Sequence, residues 1–209
     1  YDSRDHFFNP TEGTKSAFSV KFAGLGGDNR FIKSDFNARW HYPLIKDPNW
    51  GGAYVLALGG SLGHGLGLAE RANGEKDLPL FERYFLGGMN SVRGFAERSI
   101  GPRERSCSPQ GNPPVQRCTT DVIGGDQAAV FNAELTFPLM EQYGLRGVAF
   151  FDIGNAFSVG DFSFSDFRRS VGIGGRWMSP FGPLRVELGF PLNKLPGDET
   201  SAIGFSVGQ

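Results

Sequence analysis

Residues 30–44 read RFIKSDFNARWHYPL. In an extended chain Ile32, Phe36, Ala38, Trp40 and Tyr42 share one face, and Lys33, Asp35, Asn37, Arg39 and His41 share the other. Successive side chains of a pleated strand point to opposite faces, so period two in polarity is the mark of a β-strand between two different environments.

The same alternation recurs on both sides of this stretch. Towards the N-terminus, TKSAFSVKFAGL sets Ser16, Phe18, Val20 and Phe22 against Lys15, Ser19 and Lys21. Next along the chain, GAYVLALGGSLGHGLG sets Tyr54, Leu56, Leu58 and Leu62 against small residues such as Ala57, Gly59 and Ser61. After an interruption, AAVFNAELTFPL places Phe131, Leu135 and Phe137 opposite Asn132, Glu134 and Thr136. GLRGVAFFDIGNAF places Leu145, Ala149, Phe151 and Ile153 opposite Arg146 and Asp152. RSVGIGGRWMSP places Val171, Ile173 and Trp177 opposite Ser170, Gly172, Gly174 and Arg176. GPLRVELGFPL places Leu184, Val186, Leu188 and Phe190 opposite Arg185, Glu187 and Gly189, and SAIGFSVGQ closes the series with Ile203, Phe205 and Val207.

Eight long strands are predicted, well above the roughly five or six residues of a strand in a globular protein. Short links are expected at 26–29, 140–143 and 179–182, and longer ones at 43–51, 157–167 and 193–199. Strands near ten residues with alternating short turns and longer loops are the pattern of an outer-membrane barrel. A soluble sandwich also alternates, but it fills its core with Val, Ile and Leu. Here the apolar face is rich in Phe, Trp and Tyr near strand ends, as an interfacial girdle requires, and the other face mixes glycine with paired charges, which suits a wet lumen.

The bulk numbers agree. The chain has 209 residues, 31 Gly, 20 Phe, 2 Cys and a formal net charge of −1, which gives no basic footprint for nucleic acid. Mean hydropathy is −0.26, and no apolar run approaches the ~18 residues of a membrane helix. A barrel needs no such run, because alternation keeps its average hydropathy low. The opening YDSRDHFFNPTEG has no basic start and no apolar core, so no signal peptide is read and the chain is expected to begin inside a larger protein.

Between about residues 68 and 124 the strand pattern stops. A connection of that length in a compact domain is functional or disordered. Its first part interleaves aromatic and charged residues around FLGGMNSVRGF, with Arg93 set among glycines, and should pack against something. Its second part carries Pro109, Gly111, Pro113 and Pro114 between Cys107 and Cys118 and reads as an exposed tip. In an oxidising compartment the two cysteines can pair. His6, His41 and His64 are scattered, so no metal site is read. The glycine-rich runs GLGGDN and GIGGRW precede no helix, so no nucleotide site and no cofactor is expected.

GGMNSVRGF, followed by SIGPR, a cysteine-bearing tip, GGDQ and NAELTFPL, resembles the BamA family of outer-membrane β-barrel assembly factors. RWMSPFGPLRVELGFPLN and NPTEG resemble the same family's barrel strands, so the likeness covers essentially all 209 residues. The resemblance implies an all-β, antiparallel transmembrane barrel of sixteen strands, with this chain as its C-terminal eight and with the POTRA domains and first eight strands lying elsewhere. It implies that the long connection is an extracellular loop folded back into the lumen, with Val92, Arg93, Gly94 and Phe95 at its tip. It implies that Arg93 pairs with Glu134 and Asp152, which the alternation already places on the polar face. Ile203, Phe205 and Val207 would belong to the lateral-gate strand, an edge of the kind that templates pairing with another chain. The family's usual aromatic terminus is not found at Gln209, so a residue or two are expected beyond it.

The function implied is a non-enzymatic insertase of the bacterial outer membrane. Its partners would be unfolded outer-membrane β-barrel proteins, assembly-complex lipoproteins and outer-membrane lipid. A two-partner-secretion-type protein translocator of the same superfamily is the alternative. An outer-membrane enzyme would need a Ser–His–acid group or paired carboxylates at the rim, and none is read. Eight strands could also close as a small barrel or dimerise, although a closed eight-strand lumen is filled by its own side chains and leaves no room for the loop.

Overall fold

The computed structural model describes residues 1–24, 26, 29–47, 52–68, 78–110, 115–179 and 182–207. Expectations for the turns at 26–29, 43–51 and 179–182, for Gly111, Pro113 and Pro114, and for Gln209 therefore lie in part or whole outside the described residues. The strands are β1 (Gly13–Ala23), β2 (Phe31–Asp47), β3 (Gly52–Gly67), β4 (Gly94–Phe95), β5 (Arg103–Gln110), β6 (Val115–Val122), β7 (Gln127–Met140), β8 (Leu145–Phe157), β9 (Arg168–Ser179), β10 (Gly182–Pro191), β11 (Thr200–Ser201) and β12 (Ile203–Val207). Eight of them form one antiparallel sheet in the order β1-β2-β3-β7-β8-β9-β10-β12. Among the described residues β1 and β12 are its two edges, and no pairing joins them.

The alternation sorts as the sequence reads it. Phe18, Val20, Phe22, Ile32, Phe36, Trp40 and Tyr42 all stand exposed on one face, as do Leu58, Leu62, Phe131, Ile173, Val186 and Phe190 further along. This many large apolar side chains would not be left in water, and their common face is the lipid face of a membrane wall. On the opposite face His41, Val55, Ala57, Val130, Glu134, Val148, Phe150, Asp152 and Glu187 are buried. Over Val130, Glu134, Phe150, Asp152 and Glu187 the cover is the long connection.

Three expectations need correction. The segment 43–51 is not a long link, because β2 runs to Asp47 and β3 resumes at Gly52, with a bulge between Pro43 and Ile45. Proline cannot donate to the ladder, which is why a register shift falls there. The last stretch is not one strand but two short ones, β11 and β12, broken at Ala202. The long connection is not free of strands either. β5 and β6 pair as a hairpin with Cys107 opposite Cys118, and a disulfide closes it. The prolines and serines there hid a ladder whose residues alternate little in polarity. At the connection's start Tyr84 donates to the Asp35 carboxylate at 2.6 Å and Lys33 lies over its ring, which pins the loop stem to β2.

Candidate functional site: a buried ionic latch under the loop

The site is assembled where the loop tip meets the inner face of the sheet. Gly94 has φ +88°, a region that side-chain-bearing residues rarely adopt. A Cβ there would lie 2.9 Å from the Gly189 carbonyl carbon, and one on Gly189 would lie 2.5 Å from the Gly94 nitrogen. The two glycines thus let the tip backbone rest directly on β10. Nearby, a Cβ on Gly154 of β8 would meet Val92, and one on Gly204 of β12 would meet Met89. The inner wall is glycine-rich at this point because the loop occupies the space side chains would fill.

Apolar burial fixes the tip on both sides of the motif. Val92, Phe95 and Ile100 are completely or almost completely buried and cluster with Leu86, Ala128, Val130 and Ala156. The backbone adds its own ties. β4 pairs with β11 through Phe95–Thr200 and Gly94–Ser201, and the Ala96 N–H donates to the Glu199 carbonyl at 3.0 Å.

Arg93 sits between these contacts, 3% exposed. Its Nε and Nη2 donate as a fork to the two oxygens of Asp152 at 2.7 and 2.6 Å. Its Nη1 donates to Glu134 at 2.7 Å and to Glu187 at 3.0 Å. Its main-chain N–H donates to Asp152 at 3.1 Å, and its guanidinium lies 3.5 Å from the Phe150 ring centroid. The carboxylates come from three strands, β7, β8 and β10, and are 3%, 0% and 1% exposed. A planar guanidinium meets all three at once, which a lysine's point charge could not.

The node continues outward. Glu134 also accepts from Arg176 at 2.9 Å and from Arg39, and Glu187 accepts from Arg176 at 3.0 Å and from Arg185 at 3.3 Å. Asp152 accepts from Asn132 at 2.7 Å, and Asn132 in turn donates to the Ser91 carbonyl of the loop. A buried charge is tolerated only when paired and hydrogen-bonded, and here every carboxylate is. Two of the partners, Glu134 and Asp152, are those read from the sequence. Glu187 is the third, and it was missed although its alternation in LRVELGF puts it on the same face.

A second node fixes the loop's exit. Asp198, in the connection after β10, accepts from Arg168 at 3.0 Å and from Arg103 at 3.1 Å. Burial pushes the Asp198 carboxyl up, but hydrogen bonds from Arg168 and the Leu195 N–H, with the charges of Arg168 and Arg103, outweigh it and hold it below the usual carboxylate range. Among the described residues no group of His, Cys, Asp and Glu could hold a metal ion. The lateral-edge residues Ile203, Phe205 and Val207 are exposed on the lipid face of β12, and Cys107 and Cys118 lie in the hairpin beyond the latch.

A lipid-faced antiparallel wall with a long loop latched to its inner side defines a piece of a transmembrane β-barrel. The Omp85 superfamily domain matches residues 1–209, and the chain belongs to that superfamily. It is 36% identical to the outer membrane protein assembly factor BamA of Nitratidesulfovibrio vulgaris, covering 100% of this chain and 24% of that one. It is 26% identical to BamA of Neisseria meningitidis over 95% of this chain and 26% of that protein. A SAM50-like protein of Schizosaccharomyces pombe is 32% identical over 66% of this chain and 25% of its own length. The crystal structure of BamA from Haemophilus ducreyi lacking POTRA domains 1–3 superposes with a TM-score of 0.79 at 27% identity, over 98% of this chain and 40% of that one. The chain thus spans about a quarter of the length of the curated relatives named here. It is a piece of a barrel region, and its place is the bacterial outer membrane.

Proposed function

We propose that this chain is the loop-bearing wall and gate edge of an outer-membrane protein insertase, the C-terminal eight strands of a sixteen-strand barrel. In this reading β12 offers its free edge to a strand of an unfolded β-barrel protein, and the client leaves sideways into the lipid. The work is non-enzymatic: strand pairing and local lipid disturbance supply the driving force, and no bond is made or broken. Assembly-complex lipoproteins and outer-membrane lipid are the remaining partners. The observation that carries the proposal is the loop latch, in which Arg93 draws three strands together beneath a tip that is itself paired to β11, next to the edge strand. A latch of this kind keeps the wall in one shape while its edge stays open. The relatives that share the chain over its length are named as assembly factors, which favours insertion over secretion through the lumen.

The test is a photo-reactive residue at Ser206 of β12 in the full-length protein, in cells expressing a porin. Adducts between position 206 and the incoming porin are expected, with fewer from Ser19 of β1. A client that cross-links only to lumenal positions of β7 and β8 would indicate passage through the lumen and overturn the proposal.

A further inference from the structure

Behind the latch, towards the end of the sheet that carries the 141–144 turn, lies a cavity of about 370 Å³. Six cations line it: Arg4 and Lys15 near the N-terminus, Arg39 on β2, Arg146 on β8, Arg176 on β9 and Arg185 on β10. Among the described residues one carboxylate, Glu134, shares the lining. Counting Asp2, which pairs with Arg4, and Glu187, which pairs with Arg176 and Arg185, three acids among the described residues face the five bases Arg4, Lys15, Arg39, Arg176 and Arg185. The whole chain has a net charge of −1, so this excess is local and not a property of the composition.

The donors of Arg39 and Arg185 are also under-used. Arg39 gives one hydrogen bond, from Nη2 to Glu134, and its side chain is 38% exposed. The Nε of Arg185 is buried with no protein partner. His41 lines the same cavity, is nine-tenths buried, and its Nδ1 likewise meets no partner. Buried polar atoms are normally satisfied, and clustered guanidiniums between low-dielectric walls focus a positive potential. Trp177 and Phe8 supply apolar surface on the rim.

We propose that this cavity binds a phosphate-class anion, which the arginines would hold in the forked geometry that guanidinium offers to phosphate oxygens. The proposal concerns a site separate from the loop latch and stands whether or not the chain acts as an insertase. Two sources carry this chemistry in an outer membrane, a phospholipid headgroup and free inorganic phosphate.

The experiment uses the full-length protein, refolded without phosphate. One arm titrates inorganic phosphate by calorimetry in a zwitterionic detergent. The other measures, by native mass spectrometry, retention of phosphatidylglycerol against a neutral diacylglycerol of the same chain length. The variant pairs Lys15→Gln with Arg146→Gln, and the control pairs Lys21→Gln with Lys33→Gln, whose lysines contact Glu82 away from the cavity. Folding of each is checked by heat-modifiable gel mobility. Binding in either arm that falls at least tenfold in the Lys15/Arg146 variant and holds in the control supports the site, and the arm that responds names the source. No binding in either arm, or binding that the two double variants weaken equally, overturns it.

Discussion

Replacing Arg93 with alanine should raise the population of loop-released protein by about 150-fold, equivalent to roughly 3 kcal/mol. The figure follows from what the guanidinium leaves behind. Its four side-chain hydrogen bonds vanish while three carboxylates stay on the wall. Glu134 keeps Arg39 and Arg176, and Glu187 keeps Arg176 and Arg185, so two of the three remain compensated. Asp152 keeps only Asn132 and the main-chain N–H of residue 93. Breaking a buried pair costs about 3–5 kcal/mol, and with one carboxylate left exposed to the loss the lower end applies. Hydrogen–deuterium exchange of the full-length protein in detergent reads the opening directly. The Ala96 N–H is held by the Glu199 carbonyl and the Gly88 N–H by the Phe95 carbonyl, so both report whether the tip is seated. Both should exchange about two orders of magnitude faster in Arg93→Ala, and Arg93→Lys should fall between, because it keeps the charge but not the fork. Exchange within threefold of wild type would show that apolar burial and β4–β11 pairing hold the tip without the arginine, and the reasoning would be refuted.

The remaining predictions use other parts of the same contact. Gly94→Ala and Gly189→Ala should each speed the same exchange, the first by at least the ~1–2 kcal/mol that a positive φ costs a side-chain-bearing residue. Gly175→Ala, on the lipid face of β9 with nothing within 4 Å of its Cβ, should stay within about 0.5 kcal/mol of wild type. Reducing Cys107–Cys118, or changing both to serine, removes about 3 kcal/mol of loop-closure constraint from the hairpin alone, so protease sensitivity should rise at 103–122 while exchange at 88–96 stays unchanged. The Asp198 node should respond to acid. A carboxyl held below its unfolded value contributes stability that is complete above pH ~4 and lost as pH falls through the native value, so exchange at 195–199 should accelerate below pH ~4 and Asp198→Asn should abolish that dependence.

The wall was legible in the sequence because alternation between lipid and lumen writes itself into every second residue, as RFIKSDFNARWHYPL shows. The hydrophobic girdle, the strand number and the polar positions of Glu134 and Asp152 all follow from that period. Glu187 lay on the polar face too, but its convergence on Arg93 depends on how far the sheet curls, and strand spacing in sequence carries no such information. The hairpin of β5 and β6 escaped because successive residues at 104–107 and 118–121 are all exposed, so they have no reason to alternate. The split of the last stretch into β11 and β12 escaped for a different reason. Its cause is the tip itself, which takes Thr200 and Ser201 as pairing partners from a loop a hundred residues away. Glycine told only half of its meaning: Gly94 and Gly189 each look permissive alone, and their role appears only once they face each other.

A double-mutant cycle on Arg93 and Asp152 tests the latch most directly, with exchange at Ala96 as the readout. If the fork between them seats the tip, Asp152→Ala and Arg93→Ala will each accelerate exchange, and the double variant will match the faster single within a few-fold, a coupling of about 2–3 kcal/mol. Accelerations that multiply instead would mean the two side chains act independently, and the loop would be held by something other than this ion pair.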